Sequence, residues 1–130
     1  MINVEQLWDL MLEGSDDLAS ELDLPSPHFT PRALGAIDDW VAEHDGALDE
    51  DDLSRLTLFL ARVLIETHGG GLTQIQQNGH PLDGEWAASG FNRGLAPDYH
   101  VPFAVSAARI GGDGSLSAVE WYQKLLDEGR

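Results

Sequence analysis

Hydrophobic positions change their spacing twice along the chain. Up to residue 68 they recur every three or four residues, which is the period of amphipathic helices. Residues 69–110 carry shorter apolar runs separated by glycine-containing turns, and the helical period returns from Ser117 onward. The pattern predicts helices, then antiparallel strands, then a closing helix, which is an α+β fold.

Caps, glycines and prolines divide the helical half into four predicted helices. Their predicted ranges are 3–13, 15–24, 30–46 and 49–67. The first begins with an Asn3/Gln6 capping box and is followed by Gly14, and the third has Thr30 as its N-cap. The apolar surface of the fourth helix is so wide that we expect it to lie at the centre of the molecule, with Leu60 and Val63 almost fully buried.

Three strands are predicted, at 72–77, 85–91 and 100–109. The dipeptides Asn78-Gly79 and Asp83-Gly84 are hairpin signals. Alternating apolar positions from Val101 to Ala107 indicate a strand with one face on the core, and Pro102 favours an edge position. We expect one domain, 1–130, in which the N-terminal helical half packs on a three-stranded antiparallel sheet closed by the C-terminal helix.

Four tryptophans are many for a chain of this length. Trp8 and Trp40 lie near predicted apolar stripes and are expected in the core. Trp86 stands in a turn-rich, partly polar segment, where an aromatic side chain serves either as a binding anchor or in core packing.

Acidic residues dominate the charge, which is −16, and their distribution is uneven. Residues 1–52 hold fifteen acidic and one basic residue, a net of −14, whereas residues 53–130 hold eight acidic and six basic, a net of −2. Nucleic acids and anionic membranes are bound through lysine and arginine, so neither is expected as a partner. The uneven field favours a basic protein partner; the alternative is an acidic face that only keeps the protein in solution.

One exposed negative surface is expected around the junction of the third and fourth predicted helices. Its predicted members are Asp38, Asp39, Glu43, Asp45, Asp49, Glu50, Asp51 and Asp52. The last four fall at a helix N-terminus, where free amides and the helix dipole partly compensate their charge. This surface is the predicted site for a basic partner, as in an antitoxin-like inhibitor, adaptor or regulator.

Two segments, 45–52 and 113–120, resemble the second half of a calcium-binding EF-hand loop. The first ligand position of such a loop would be Val41 in one segment and Arg109 in the other, and neither side chain ligates calcium. Asp-Gly turns followed by capped helices explain the same residues. We therefore predict no metal site and no cofactor.

No catalytic motif is present, and the chain has no cysteine. The five histidines are scattered without the one-turn spacing of a helical metal pair. These absences favour a function other than catalysis. An alternative is a domain that binds a small molecule or ion, with or without enzymatic activity, in the cleft between helices and sheet, through His68, His80, Trp86 and His100.

Targeting signals are not apparent in the sequence. The most apolar segment, 53–65, is interrupted by Ser54, Arg55 and Arg62, so it is predicted to be a core helix and not a membrane span. The first residues lack the basic start and cleavage site of a secretory signal, and we therefore expect a cytoplasmic location.

Overall fold

Helices precede and follow a small sheet in the computed structural model, which describes residues 3–45, 47–75 and 84–130. The elements are α1 (Val4–Glu21), α2 (Ala33–Glu43), α3 (Glu50–His68), β1 (Gly71–Gln74), β2 (Trp86–Ser89), β3 (Val101–Pro102), α4 (Phe103–Ala107), a π-helical turn (Ala108–Gly112) and α5 (Ala118–Gly129). This arrangement confirms the α+β class and the three-stranded antiparallel sheet.

The first two predicted helices form one continuous helix, α1, so three helices precede the sheet and not four. Asn3 and Gln6 form the predicted reciprocal capping box. Gly14 does not end the helix, because it lies where α1 meets α3: a Cβ atom there would stand 2.6 Å from Leu58 Cδ1. Ser15 is buried inside the helix, and its hydroxyl donates to the Met11 carbonyl. Tertiary packing therefore overrides the local signals for a break.

Helix α2 begins later than predicted. The Ala33 N–H donates to the Thr30 carbonyl in a turn that leads into the helix, and no side chain caps its first residues. The start of α3 agrees with the prediction, since the Asp49 carboxylate accepts a hydrogen bond from the Asp52 N–H at 2.8 Å. Gly69, in the left-handed region at φ +76°, follows the last residue of α3.

Helix α3 lies at the centre of the fold. Leu56, Phe59, Leu60, Val63 and Leu64 on this helix are all 0% exposed, so the expected burial of Leu60 and Val63 is confirmed. They pack in one core with side chains of the C-terminal half of α1, α2, β2 and α5. A second, smaller cluster joins the N-terminal half of α1 and α3 to the start of α4.

The sheet has the order β1-β2-β3, with Leu72 opposite Ala88 and Ala88 opposite Val101. Pro102 lies on an edge strand, as predicted. Residues 76–77 of the first predicted strand, the Asn78-Gly79 signal and Asp83 lie outside the described residues.

The third predicted strand is wrong beyond Pro102. Phe103, Ala107 and Ile110, spaced four and three residues apart, are buried along one face of a helical segment, and the Ser106 hydroxyl donates to the Pro102 carbonyl at 2.8 Å. The Asp113 N–H donates to the carbonyl of Ala108, five residues earlier, which defines the π-helical turn. The apolar residues of this alanine-rich segment fit both the two-residue period of a strand and the three- to four-residue period of a helix. Packing against α3 favours the helix.

Helix α5 closes the fold and is held at both ends. Ser117 caps it locally, because its hydroxyl accepts from the Glu120 N–H at 3.0 Å. At the other end, the Ala96 N–H donates to the Gly129 carbonyl at 2.6 Å. Between these ends Trp121 and Leu125 enter the main core.

None of the helices in the described ranges combines the length and apolar character that crossing a bilayer requires.

Candidate functional site

Six of the eight predicted surface carboxylates are exposed where α2 leads into α3, and five of these six do not cap a helix. These five are Asp39, Glu43, Asp45, Glu50 and Asp51, here called the acidic junction. None of them forms a salt bridge with another residue in the described part of the chain. Their charge is therefore open to solvent and to any approaching cation.

The other three predicted members have structural roles instead. Asp38 is half-buried, and its carboxylate accepts from the Ala118 N–H at 2.6 Å and the Val119 N–H at 3.2 Å, so a residue of α2 caps α5. Asp49 caps α3, and Asp52 lies 2.6 Å from an Arg55 nitrogen. The sequence contains local signals for the roles of Asp49, as a cap, and of Asp52, which is three residues before Arg55 on a predicted helix, but none for the role of Asp38.

Arg55 neutralises part of the acidity of α1. Its guanidinium contacts Asp17 and Glu21 at 3.0 Å each and Asp52 at 2.6 Å, and it lies over the Trp40 ring at 5.9 Å. Partial burial acts to lower the pKa of Arg55, but hydrogen bonds to the three carboxylates outweigh it, and the pKa rises above the ordinary arginine value.

Arg62, two turns further along α3, acts similarly. It contacts Asp16 at 3.4 Å and Glu66 at 3.2 Å, donates to the Ser15 hydroxyl, and covers the Phe29 ring at 4.1 Å. The division of charge along the sequence therefore does not match a division in space, because cations of α3 lie among the carboxylates of α1.

A groove beside the acidic junction is mostly apolar. It has a volume of about 520 Å³ and lies between the 24–31 loop and the start of α2, and we call it the proline groove; its lining residues are Leu24, Pro25, Ser26, Pro27, Thr30, Pro31, Arg32, Ala33 and Ala36. Its three prolines offer no N–H donor. Ala36, Asp39 and Glu43 are three and four residues apart, so they follow one another on one face of α2. Ala36, which lines the groove, is therefore followed along α2 by two members of the acidic junction.

The predicted histidine pocket is not assembled among the described residues. His68 is buried, with Nδ1 2.9 Å from the Arg93 carbonyl and Nε2 2.8 Å from the Tyr122 hydroxyl. Because the carbonyl only accepts, Nδ1 carries the proton and Nε2 accepts from Tyr122 in the neutral ring. Both nitrogens have partners within the fold. Burial raises the pKa of Tyr122, and Arg130 opposes this effect.

The other members of that pocket lie elsewhere. Trp86 is half-buried against the smaller core cluster, and His80 lies outside the described residues. His100 lines a separate groove that contains neither His68 nor Trp86. Of the tryptophans expected in the core, Trp40 is buried, whereas Trp8 is 37% exposed, because the buried face of α1 runs through Leu7 and Met11 and leaves Trp8 at its border.

The groove at His100 lies between β3, the π-helical turn and α5, and we call it the C-terminal groove. It has a volume of about 210 Å³, and Arg109, Trp121, Lys124 and Glu128 are among its lining residues. Of the residues that line this groove, only His100 was predicted as a site residue from the sequence, because Arg109 was placed in a strand and no motif connects it with Lys124.

The two EF-hand-like segments are turns and caps. The Asp113 carboxylate accepts from the Ser115 N–H at 2.8 Å, and hydrogen bonds from Ser115 hold the pKa of Asp113 below its usual range. Over residues 3–45, 47–75 and 84–130, no three acidic or histidine side chains converge as metal ligands would.

Comparison with known proteins produced no match among protein-family models, curated proteins or solved structures. Function therefore has to be inferred from the chemistry and shape of the sites themselves.

Proposed function

We propose that this protein is a non-enzymatic interaction domain that binds a basic protein partner through the acidic junction, as an inhibitor, adaptor or regulator does. The observation that carries this proposal is the set of five exposed carboxylates that form no salt bridge among the described residues, while Arg55 and Arg62 pair with other acidic side chains. A field of one sign on a single surface attracts a partner of opposite charge and increases its association rate.

The proline groove offers an apolar surface for binding, which the carboxylates do not. Exposed ion pairs contribute little affinity on their own, and binding energy is concentrated where apolar side chains fill desolvated pockets. A groove lined by prolines, Leu24 and alanines, next to Asp39 and Glu43 on α2, fits a partner segment in which an apolar side chain is followed by lysine or arginine. Arg32, at the opposite end of this face, disfavours basic residues there and sets the direction of the segment.

The test compares two variants with equal changes in net charge. The junction variant carries Asp39→Asn, Glu43→Gln, Glu50→Gln and Asp51→Asn. The control variant carries Glu5→Gln, Asp9→Asn, Glu13→Gln and Asp23→Asn, four exposed carboxylates of α1 and the following turn. Partners captured from native lysate with the wild-type chain are identified and purified, and their association rates are measured at several salt concentrations.

The expected result is an association rate about tenfold lower for the junction variant, with a weaker salt dependence, and a small change for the control. Replacing Ala36 with Glu should raise the dissociation rate, because a carboxylate would enter the groove. Equal effects of the two four-residue variants would show that only total charge matters. An unchanged rate for the junction variant would show that the acidic junction is only a solvated surface.

A further inference from the structure

We propose that the C-terminal groove binds a small aromatic carboxylate, with the ring on the apolar floor and the carboxylate between Arg109 and Lys124. This site lies apart from the acidic junction and does not depend on the partner-binding function proposed above. Of the described residues that were predicted to line a ligand cleft, this groove contains only His100.

The charge of the groove is opposite to that of the chain. The protein has a net charge of −16 and a single lysine, yet this groove holds that lysine and Arg109 against one carboxylate, Glu128. The Tyr99 hydroxyl, 3.5 Å from Glu128 Oε2, donates to this carboxylate. Burial and Glu128 together raise the pKa of Tyr99, which keeps this hydroxyl a donor. Neither Arg109 nor Lys124 has a salt bridge among the described residues.

Buried apolar residues form one part of the lining of the groove, here called its apolar floor, and its walls are held in place. Val101, Leu116 and Trp121 are buried residues that border it. Tyr99 packs so closely on α5 that a Cβ atom at Gly129 would lie 2.6 Å from its ring. Arg109 belongs to the π-helical turn, and such turns occur frequently at functional sites. The site is therefore formed before a ligand arrives, which reduces the cost of binding.

The shape and the donors define the ligand class. A volume of about 210 Å³ exceeds the roughly 150 Å³ of a protein cavity that accommodates benzene. An arginine fork and a lysine ammonium match the two oxygens of a carboxylate. Inorganic phosphate would leave the apolar floor uncovered, and a neutral aromatic would leave both cations unpaired. In a ligand with an aromatic ring and one carboxylate, the ring covers the apolar floor and the carboxylate pairs with Arg109 and Lys124.

The experiment is a titration of the full chain with benzoate, followed by amide chemical shifts and by calorimetry. Benzamide and inorganic phosphate serve as matched probes that lack, respectively, the charge and the ring. The variants are Arg109→Gln with Lys124→Gln, and Val105→Asp, which changes a side chain that lines the groove and is 38% exposed. Arg32→Gln removes one positive charge outside this groove and is the control.

The expected result is saturable binding of benzoate with shifts confined to residues of the groove. Affinity should fall about tenfold or more in the double variant and in Val105→Asp, and stay within about twofold in Arg32→Gln. The free variants should keep the wild-type shifts elsewhere, which shows that they fold. The proposal is overturned if benzamide or phosphate binds as tightly as benzoate, if the control loses as much affinity, or if no saturation occurs by about 10 mM benzoate.

Discussion

Replacing Asp38 with alanine tests whether one side chain connects α2 to the start of α5. The Asp38 carboxylate accepts two backbone N–H groups, from Ala118 at 2.6 Å and Val119 at 3.2 Å. Asp39, its neighbour in sequence, is exposed and has no such partner among the described residues. Asp39→Ala is therefore a closely matched control, with the same side chain removed one position away.

The expected loss follows from the kind of hydrogen bond. Bonds to a charged group stabilise a fold by about 1.5–3 kcal/mol, and loss of an N-cap costs about 0.5–2 kcal/mol. Asp38 is half-buried, so water can partly replace its carboxylate as hydrogen-bond acceptor, and Ser117 still caps α5 in the variant. We therefore expect Asp38→Ala to lower the free energy of unfolding by about 2 kcal/mol. For a domain of this size that corresponds to a decrease in Tm of roughly 6–10 °C. Asp39→Ala should change stability by less than about 0.5 kcal/mol.

Urea unfolding, followed by circular dichroism and by tryptophan fluorescence, measures both variants under the same conditions. Asp38→Asn keeps one acceptor oxygen and should lose about half as much stability as the alanine variant. If Asp38→Ala and Asp39→Ala have the same free energy of unfolding, the Asp38 carboxylate does not stabilise α5 and the reasoning fails.

Three further predictions concern the core, the tyrosines and the EF-hand-like segments. Leu60→Ala should lower the free energy of unfolding by about 2–5 kcal/mol, because Leu60 is 0% exposed; a loss below about 1 kcal/mol in chemical denaturation would contradict its central position. The pKa values of Tyr99 and Tyr122 are raised, so the protonated hydroxyls contribute stability that is fully present below about pH 10. This contribution is lost as the pH rises through the pKa values of the folded state. Ultraviolet titration of the native protein that found normal pKa values for both tyrosines would contradict this prediction. Calorimetry should reveal no saturable calcium site tighter than about 10⁻⁴ M, and such a site would overturn the interpretation of the segments as turns and caps.

Much of the fold could be predicted from the sequence, because most elements begin with a local signal. Asn3, Asp49 and Ser117 all cap helices where their residue types and spacing indicate. The predicted elements are wrong where the local sequence is compatible with two structures and a contact with a distant residue decides between them. Gly14 continues a helix because Leu58 packs against it, and the segment after Pro102 becomes helical because it packs on α3.

The candidate sites were less predictable, because a cluster of charges in sequence does not reveal the partner of each charge. Asp38 and Asp39 are identical in type, yet one caps α5 and the other faces solvent. The partner of Asp38 lies 80 residues further along the chain, and no local pattern indicates it. The cations of the C-terminal groove were missed for the same reason, since Arg109 and Lys124 line one groove only once the π-helical turn and α5 are in place.

The way in which α5 is attached to the fold affects how cooperatively the protein unfolds. A helix that is attached to a fold at one end only commonly frays, and its amide protons then exchange with solvent through local opening. Here one end of α5 is tied to Asp38 and the other to Ala96, and Trp121 between them is part of the main core. To open α5, contacts to α2, to the segment before β3 and to the core must be lost together. Its central amides should therefore exchange only when the whole domain unfolds.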